Sequence, residues 1–589
     1  MDYEERKKLN NDFLNGVFSG RMISDVVRFL KEKDSNNRSG EEVKSLWENY
    51  LSEREGSDLK ISLYTNIPFC IEKCSFCLYN SKKLGADDNI SGYVDNIIRQ
   101  YGYFADIFKG RKLSSFYFGG GTPNILGSSE IERVLSALRE NYEFKESGER
   151  TFEGNPILAT EAKMKMLAKY GVNRVSFGVQ SFDRETLERN KRGFQREDFI
   201  RRAVDLARDA GIRHINLDLI IGFNNDTRES VVDGFEKIIE MGATSVCIYP
   251  LRASDPYLRA FWDGDEKKFR ESKKSLINET VDALVETGSR YGYEFPSLGE
   301  TFNDLGDGAG FTFKKRDVPD FGDGDRFCTD DFIGTSSILG VGQFALSKIG
   351  GNRVVYTNER GVSPKPGDDQ FLVHMLSGEE MVADDFARRF VYFNSIDIND
   401  IILRTGVNPL ASFSEEIKAL EDNGRIVIDN GKIVFTDDDL KGRTNDLLFF
   451  VSEDAIKESM AENHKENKNN IKEKMENLPD KKDYPNQEEM KAKIDALCNK
   501  TSAKVVDGYL ISFGDDNLKI KTVDGEEKDL PLDDEMMTVN QTVIRSADGE
   551  ETLWREIDKE SLTDNMKLSL VVSKEGDKVL LVKEVAIFE

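Results

Sequence analysis

The chain has 589 residues, 38% hydrophobic and 32% charged, so it is long enough for about two to four domains with a large solvated fraction. Its net charge of −26 repels nucleic acid and anionic membrane surfaces, and neither is expected as a partner. There is no apolar leader after Met1 and no apolar stretch of membrane-spanning length, which predicts a cytoplasmic protein. Six cysteines fit a reducing compartment; three are clustered, and three are scattered at Cys247, Cys328 and Cys498.

Residues 1–60 are predicted to form an N-terminal helical arm. Amphipathic periodicity favours helices over Ile23–Lys33 and Glu41–Arg54, with a polar break at Ser35–Gly40 between them. We expect this arm to pack on the domain that follows it.

Residues 61–260 alternate between strand and helix patterns. Six strand-then-helix units predict a parallel sheet with right-handed crossovers, and six are too few to close an eight-stranded barrel. The expected fold class is therefore α/β, with an open partial (β/α)6 barrel. The predicted strands are Ile61–Ile67, Ser115–Gly119, Arg150–Gly154, Arg174–Phe177, His214–Ile220 and Ser245–Tyr249. The predicted helices are Tyr93–Phe108, Ile131–Tyr142, Thr160–Tyr170, Arg196–Ala210 and Glu229–Met241.

Three cysteines follow the first strand with the spacing C-x3-C-x2-C, at Cys70, Cys74 and Cys77. They are too crowded for a disulfide framework, and a structural zinc site would need a fourth ligand. Clustered thiolates on such loops hold iron–sulfur clusters, and three of them would leave one iron of a four-iron cluster open. The residues alone leave three alternatives: such a cluster, a zinc site completed from elsewhere, or three buried apolar cysteines.

Polar or glycine-rich groups follow each of the other strands, at the edge where active sites of such folds lie. Three glycines allow close approach to a ligand, or simply a tight turn. The two carboxylates suit ribose hydroxyls or an amino group, but also a helix cap or a rim salt bridge, and the arginine suits a carboxylate or plain solvent. These groups are Gly119–Pro123, Glu153, Gln180 with Arg192, Asp218, and Tyr249–Pro250.

The motifs together resemble the radical S-adenosylmethionine (SAM) superfamily and, in their order, its coproporphyrinogen-oxidase-like branch. The resemblance covers roughly residues 50–455 and implies that SAM chelates the open iron and is reductively cleaved to a 5′-deoxyadenosyl radical. The motifs that carry it are Tyr64–Cys77, Gly119–Pro123, Glu153–Pro156, Arg174–Phe182 and Asn216–Gly222.

Carried over residue by residue, the resemblance implies a 4Fe–4S cluster on Cys70, Cys74 and Cys77. It implies one SAM site and, as in some members of the branch, a second. Tyr64 and Arg192 are the candidate catalytic residues. The first SAM would contact Tyr64, Gly120 and Glu153; the second would contact Phe76, Gly121, Thr122, Gln180, Arg192 and Asp218, with Pro250 as a further cofactor-binding residue. The implied partners are a small-molecule substrate and a flavodoxin- or ferredoxin-type electron donor.

The remaining sequence predicts four further regions. Residues 261–375 extend the barrel and include a glycine-rich strand within Asp331–Ser347; residues 376–458 form a winged-helix-like α+β module with a hairpin turn at Asp429–Lys432. Residues 459–500 read as a charged helix and linker, and residues 501–589 as a small all-β domain.

Three functions are compatible with these motifs. The resemblance implies hydrogen abstraction from, and oxidative decarboxylation of, propionates of a coproporphyrinogen III-like substrate in haem metabolism. The alternatives are a radical methyltransferase or C–C bond-forming enzyme, and a non-catalytic cluster or cofactor carrier whose β domain docks a partner. An acidic substrate needs cations at the barrel mouth, and Arg192, Arg252 and Lys314–Arg316 are the candidates, although the last group suits a solvated loop as well.

Overall fold

In a computed structural model the chain divides into two compact units, Met1–Met460 and Ala461–Glu589. Within the described residues, no helix is long and apolar enough to cross a membrane. The structure describes residues 2–17, 26–31, 35–55, 59–86, 88–295, 311–319, 321, 337–350, 353–358, 365–392, 395–436, 445–463, 487, 490–494, 503–513, 517–522, 527–546, 549–556, 567–573 and 579–588. The predicted glycine-rich strand falls outside them up to residue 336, as do Cys328, Cys498 and most of the predicted linker.

The N-terminal arm is divided between two partners. Its elements are α1 (Tyr3–Gly16), α2 (Val26–Lys31), β1 (Asn36–Ser39) and α3 (Gly40–Ser52). The first two helices pack into an apolar cluster with residues after 375, so the expectation that the arm packs on the following domain is wrong for its first half. α3 packs on the barrel core through Trp47, and the predicted polar break contains an edge strand.

The predicted partial barrel is confirmed, and each predicted strand is present with nearly the predicted bounds. The strands of this region are β2 (Ile61–Ile67), β3 (Phe69–Cys70), β4 (Lys82–Lys83), β5 (Lys112–Leu113), β6 (Ser115–Gly120), β7 (Glu143–Phe144), β8 (Arg150–Gly154), β9 (Arg174–Gln180), β10 (His214–Ile221) and β11 (Ser245–Pro250). The helices are α4 (Ile90–Ala105), α5 (Ser128–Asn141), α6 (Glu161–Lys169), α7 (Arg184–Arg189), α8 (Glu197–Asp209), α9 (Arg228–Glu240), α10 (Asp255–Trp262) and α11 (Glu266–Arg290).

The barrel strands belong to one sheet of 13 strands, which continues beyond both edge strands of the barrel, β2 and β11. The parallel order β2-β6-β8-β9-β10-β11 is extended by strands from the region predicted as an extension. These are β12 (Tyr293–Glu294), β13 (Phe311–Lys315), β14 (Ser337–Val341), β15 (Leu346–Ile349), β16 (Val354–Thr357) and β17 (Gln370–Met375). β14 joins β2 in parallel, whereas β13 joins β11 antiparallel. The sheet therefore presents seven parallel strands whose carboxyl ends form one mouth.

Apolar strand faces and helix stripes form the core behind that mouth. The alternating fully buried residues of β6 and β9 pack against helices α4, α5 and α8, as expected where helices cover a parallel sheet. Phe118 stacks on Phe152 of the neighbouring strand at 5.1 Å between ring centroids.

The region after residue 375 forms a separate apolar cluster together with α1 and α2. It contains α12 (Gly378–Tyr392), β18 (Ser395–Asp397), α13 (Ile398–Thr405), α14 (Pro409–Ser412), α15 (Ser414–Asp422), β19 (Ile426–Asp429) and β20 (Lys432–Phe435). The predicted hairpin is present, with left-handed backbone at Asn430 (φ 48°) and Gly431 (φ 75°), as a type I′ turn requires. The winged-helix classification remains a prediction.

The second unit contains a six-stranded sheet that closes on itself. Its strands are β21 (Ala503–Phe513), β22 (Asn517–Thr522), β23 (Glu527–Ser546), β24 (Gly549–Glu556), β25 (Lys567–Ser573) and β26 (Val579–Phe588). The order β22-β21-β25-β26-β23 is closed by a pairing of β22 with β23, and β24 is a hairpin extension. All ring pairings are antiparallel except β23 with β26. This is the connectivity of a five-stranded OB-type barrel.

Candidate functional site

The cysteine loop leaves the barrel mouth directly after β2. A two-residue parallel ladder between β3 and β4 closes the loop at its base and aligns Cys70 with Lys83. The amide of Cys77 donates to the carbonyl of Cys74 at 3.1 Å, which turns the loop back on itself. All three thiols are free and half-buried. The loop therefore presents three thiols at the mouth of the barrel.

Each thiol sulfur receives a polar contact from a different side chain. Thr122 Oγ1 donates to Cys70 Sγ at 3.5 Å, Arg192 Nη1 to Cys74 Sγ at 3.7 Å, and Lys73 Nζ to Cys77 Sγ at 3.8 Å. Burial raises the pKa of the Cys70 thiol, and the hydrogen bond from Thr122 opposes that effect. Donors and cations beside a sulfur favour its thiolate form.

This donor set fits a 4Fe–4S cluster. Thiolates are the protein ligands of such clusters, and each would bind a different iron, so the sulfurs need not converge on one point. Among the residues that the structure describes, no three His, Cys, Asp or Glu side chains are placed to hold a single metal ion. The Arg192 and Lys73 cations lie where they would stabilise the negative charge of ligating sulfurs.

The glycine loop is held tightly against the cysteine loop. A Cβ on Gly120, where φ is +104°, would lie 2.0 Å from Asn66 Oδ1, and one on Gly121 would lie 2.6 Å from the Phe69 carbonyl oxygen. The amide of Thr122 donates to that carbonyl at 2.8 Å. The close approach of Asn66 and of the Phe69 carbonyl is therefore enough to explain why positions 120 and 121 are glycine. Contact of these two glycines with SAM remains a prediction.

Glu153 ends β8 inside the mouth. Tyr117 OH donates to its Oε1 at 2.6 Å, and the backbone of Gly120 also hydrogen-bonds its carboxylate. Desolvation raises the pKa of Glu153 to about 7; the Tyr117 hydrogen bond opposes this rise, and the charge of Asp218 adds to it. The charge of Arg174 offsets only part of this desolvation, which makes the Glu153 carboxylate a suitable acceptor for a cationic ligand.

Asp218 lies two strands away on β10 within a polar network. Ser176 Oγ donates to one carboxylate oxygen at 3.1 Å, and Asn216 Nδ2 to the other at 2.7 Å. Desolvation raises the pKa of Asp218 to about 6, and the nearby Arg174 guanidinium opposes the rise. At both positions, desolvation therefore disfavours the negatively charged form of the carboxylate.

Arg192 and Gln180 both lie beside Gly178 of β9, and Arg192 also contacts the cysteine loop. Arg192 is 7% exposed, and its Nη2 donates to the Gly178 carbonyl at 2.6 Å and to Gln195 Oε1 at 2.8 Å. The alternative prediction, that Arg192 is a solvent-exposed surface residue, is therefore wrong. Gln180 has a left-handed backbone (φ 70°) at the end of β9, next to a β-bulge between β9 and β10.

The other predicted residues line the same mouth. Tyr64 OH donates to Asn66 Oδ1 at 3.0 Å, and the Tyr64 ring lies 6.2 Å from that of Tyr117. Phe76 packs edge-on against Phe223 at 5.4 Å between centroids. Pro250 ends β11, in register with the last residue of β10.

Sequence reasoning missed several side chains that organise this site. Tyr117 carries no motif signal, yet its alternation along β6 with buried Phe116 and Phe118 places it on the inner face. Lys73 lies between two cysteines and carries no motif signal of its own. Ser176 and Asn216 fall inside recognised motifs, but only strand adjacency shows that they hold Asp218.

The Lys314–Arg316 cluster does not lie at the mouth. Lys314 pairs with Ser245, the first residue of β11, and the Lys315 amide donates to the Thr244 carbonyl at 3.0 Å. Strand starts are the opposite end of the barrel, so this cluster cannot serve a substrate at the mouth. Arg252 does follow the carboxyl end of β11 and is exposed.

The comparisons with known proteins agree with this geometry. Residues 64–238 match the family model of the Radical SAM superfamily. The chain is 31% identical over 195 residues to "Heme chaperone HemW" of Haemophilus influenzae, which covers 32% of this chain and 51% of that protein. It is 31% identical over 235 residues to "Oxygen-independent coproporphyrinogen III oxidase" of Salmonella typhimurium, covering 39% and 51%. The chain thus spans about half the length of the curated relatives it matches.

A solved structure shares the fold. Coproporphyrinogen III oxidase (HemN) from Escherichia coli aligns with a TM-score of 0.53 and 22% identity, over 68% of this chain and 92% of that one. The parallel barrel and the matched family model together define a radical SAM domain. More particularly, the proteins to which this domain is similar include both oxygen-independent coproporphyrinogen III oxidases and haem chaperones. The family implies a 4Fe–4S cluster and SAM.

Proposed function

We propose that the protein is a radical SAM enzyme that abstracts hydrogen from an organic substrate, and that this substrate is a coproporphyrinogen III-like tetrapyrrole. The observation that carries the proposal is the separate donor on each thiol of the cysteine loop, next to two enclosed carboxylates. Structural cysteines in an apolar core would need no such cations. When bound, the cluster would supply the electron that cleaves SAM to methionine and a 5′-deoxyadenosyl radical.

The chain's own residues take distinct roles in this proposal. Cys70, Cys74 and Cys77 would ligate three irons of the cluster and leave the fourth for SAM. Glu153, held by Tyr117, accepts hydrogen bonds from the amino group of SAM, and Tyr64 lies beside it.

A second SAM site would involve the other carboxylate. Asp218, oriented by Ser176 and Asn216, suits an amino group or ribose hydroxyls, and Arg192 suits a carboxylate. Phe76, Gly121, Thr122, Gln180 and Pro250 complete the proposed lining of this site.

The proposed reaction removes one hydrogen atom from the β-carbon of a propionate side chain. The resulting carbon radical loses CO2 and passes one electron to an external one-electron acceptor, which leaves a vinyl group. Arg252 at the mouth suits a substrate carboxylate. Since the Lys314–Arg316 cluster lies at the other end, the mouth offers fewer cations than the sequence suggested.

The test is anaerobic reconstitution of the cluster, followed by SAM, dithionite and carboxyl-labelled coproporphyrinogen III. We expect 5′-deoxyadenosine and labelled CO2 in proportion to one another, and neither product with Cys77→Ala. SAM cleavage with methylated product and no CO2 would favour a radical methyltransferase. An intact cluster with no SAM cleavage would refute enzymatic function.

The carrier alternative has one observation in its favour, because a haem chaperone is as similar to this chain as the oxidases are. Its test is haem binding by the purified protein, measured by the Soret absorption. The chain has only three histidines. None of them lies on β2, β6, β8, β9 or β11, the described strands that contribute to the mouth. Stoichiometric haem binding without SAM cleavage would replace the enzymatic proposal.

A further inference from the structure

Two tyrosines present exposed aromatic rings at the barrel mouth. Tyr79 follows Cys77 by two residues and is 74% exposed, and Tyr249 lies near the carboxyl end of β11 and is 42% exposed. Ligand sites are typically clefts lined by aromatic side chains together with a few polar groups. A ring that stays open to solvent inside a cleft is available to a ligand.

The Tyr79 phenol stands inside the mouth and not on the outer surface of the barrel. Burial raises its pKa, the charge of Glu153 adds to the rise, and the charge of Arg252 opposes it. Cys77 and Asp218 act on the same phenol. These groups come from the cysteine loop and from the ends of β8, β10 and β11, so the Tyr79 side chain is surrounded by the walls of the cleft although solvent reaches it.

The cysteine loop holds the backbone of Tyr79 in place. The Tyr79 carbonyl accepts hydrogen bonds from Lys73 Nζ and from the amide of Ser81, the second at 2.8 Å. The Ser81 hydroxyl donates to the same carbonyl at 3.5 Å. The ring is therefore presented from a fixed backbone, which lowers the entropy cost of ordering it around a ligand.

Tyr249 lies on the inner face of β11. Alternation along the strand places it on the same face as Cys247, and its hydroxyl donates a hydrogen bond to the Cys247 thiol. Cys247 is the register partner of Asp218, whose charge acts on that thiol. Tyr249 therefore lies above Asp218 on the inner wall, nearer to the opening of the mouth.

Arg252 brings a cation to the same part of the mouth. It follows Tyr249 by three residues and is exposed, and its charge acts on the Tyr79 phenol. Among the residues that the structure describes, no carboxylate forms an ion pair with it. A guanidinium favours planar carboxylates and also stacks on aromatic rings.

We propose that Tyr79, Tyr249 and Arg252 form a substrate subsite that binds a pyrrole-like aromatic ring with a carboxylate side chain. The inference rests on the proposed function, and it assigns the part of the mouth where one ring of the substrate is held. The two tyrosine rings contact the faces and edges of the substrate ring, and Arg252 donates to its carboxylate. Since Cys77 and Glu153 also act on the Tyr79 phenol, a ring bound there lies beside the sites proposed for the cluster and SAM.

Substrate binding without turnover gives the first test. The probe is labelled coproporphyrinogen III, equilibrated anaerobically by dialysis against the cluster-loaded protein with no reductant present. We expect Tyr79→Ala and Tyr249→Ala each to weaken binding by about tenfold, because each removes one ring contact. Tyr291→Ala is the matched control: Tyr291 is 38% exposed, follows α11 and donates to Glu236 at 2.7 Å, and its loss should leave the affinity unchanged.

Conservative variants separate the ring from the hydroxyl and from the fold of the loop. Tyr79→Phe keeps the ring, and its affinity should stay within about twofold of that of the unaltered protein. Iron content is measured in every variant, and Tyr79→Leu replaces Tyr79→Ala if the alanine variant loses iron. Unchanged affinity in either ring-deleting variant, or an equal loss in the Tyr291 control, would overturn the proposal.

A matched pair of arginine variants tests the carboxylate contact. Arg252→Gln removes the cation at the mouth, whereas Arg213→Gln removes an exposed arginine directly before β10, at the opposite end of the barrel. Both variants change the net charge by the same amount. We expect Arg252→Gln to weaken coproporphyrinogen binding by about tenfold and Arg213→Gln to leave it unchanged. Equal effects of the two would refute a direct contact with Arg252.

Labelled SAM in the same dialysis distinguishes the substrate from a second SAM, which also carries an aromatic ring and a carboxylate. We expect the tyrosine variants to bind SAM as the unaltered protein does. Weaker SAM binding in Tyr79→Ala or Tyr249→Ala would assign the rings to SAM and overturn the proposal. Failure of the unaltered protein to bind coproporphyrinogen would refute the proposed substrate and the subsite with it. Binding that is insensitive to the three mouth residues would refute the subsite alone.

Discussion

Replacing Glu153 with Gln tests whether the mouth of the barrel holds an uncompensated carboxylate. Desolvation raises the pKa of Glu153 from its ordinary value of 4.5 to about 7. The folded state therefore binds the proton more tightly than the unfolded state. The stabilisation is fully present below about pH 4.5 and is lost as pH rises through about 7. Glutamine carries no charge at any pH, and the variant lacks this pH dependence.

The magnitude follows from the two pKa values. The full difference corresponds to about 3 kcal/mol, and the part that falls between pH 5.5 and 8.5 is about 2 kcal/mol. Chemical denaturation of the cluster-free protein at these two pH values should show Glu153→Gln gaining about that amount relative to the unaltered protein as pH rises. A stability difference that is the same at both pH values would refute the buried-charge argument.

Tyr117→Phe provides the complementary control. The Tyr117 hydrogen bond favours the ionised carboxylate, so its removal should raise the pKa of Glu153 further and move the stability loss to higher pH.

The Glu153 carboxylate should also contribute to SAM binding. In the cluster-loaded protein, loss of a charge-assisted hydrogen bond worth roughly 1.5–3 kcal/mol should weaken SAM binding by about one to two orders of magnitude in Glu153→Gln. Anaerobic equilibrium dialysis with labelled SAM measures this, and unchanged binding would make Glu153 a structural residue only.

Three further outcomes are expected. Cys77→Ala should abolish the brown chromophore and SAM cleavage. Cys247→Ala, which removes a buried thiol in contact with Thr312, should preserve both. Iron content is the measurement, and loss of iron in Cys247→Ala would overturn the ligand assignment. Lys73→Met should make the cluster potential more negative at unchanged iron content while Lys73→Arg should not, as measured by EPR-monitored redox titration; identical potentials would show that the ammonium has no effect on the cluster. Truncation after residue 463 should leave a folded, cluster-binding protein, because the first compact unit ends at Met460; insolubility of the shortened chain would contradict that boundary.

The barrel strands were predictable because each is a short apolar run ended by glycine, proline or a polar residue. The predicted bounds of Ile61–Ile67 and Arg150–Gly154 are those of β2 and β8. Parallel connectivity then placed all strand ends at one mouth, so the candidate residues came together without any knowledge of their contacts.

Features set by distant pairing were not predictable. β1 has the sequence Asn-Asn-Arg-Ser, which has no strand propensity, and it is a strand only because it pairs with β17. The closure of the second unit depends on β21 pairing with β25 and β23 pairing with β26, strands that lie far apart in the sequence. The Lys314–Arg316 cluster was a candidate for the mouth on charge alone, with a solvated loop as the alternative, and the antiparallel direction of β13 carries it to the other end.

The two enclosed carboxylates suggest what kind of ligand completes the site. Glu153 and Asp218 both have raised pKa values because burial is not matched by a counter-charge, and Arg174 opposes this only in part. A ligand that brings positive charge and hydrogen-bond donors would lower the pKa of Glu153, which must then release its proton. Calorimetry of SAM binding to the cluster-loaded protein at pH 7, in buffers of different ionisation enthalpy, compares the unaltered protein with Glu153→Gln, because any proton that the amino group of SAM loses on binding iron is the same in both. We expect the unaltered protein to release about half a proton more than the variant. Equal proton release by the two proteins would show that SAM does not bind beside Glu153.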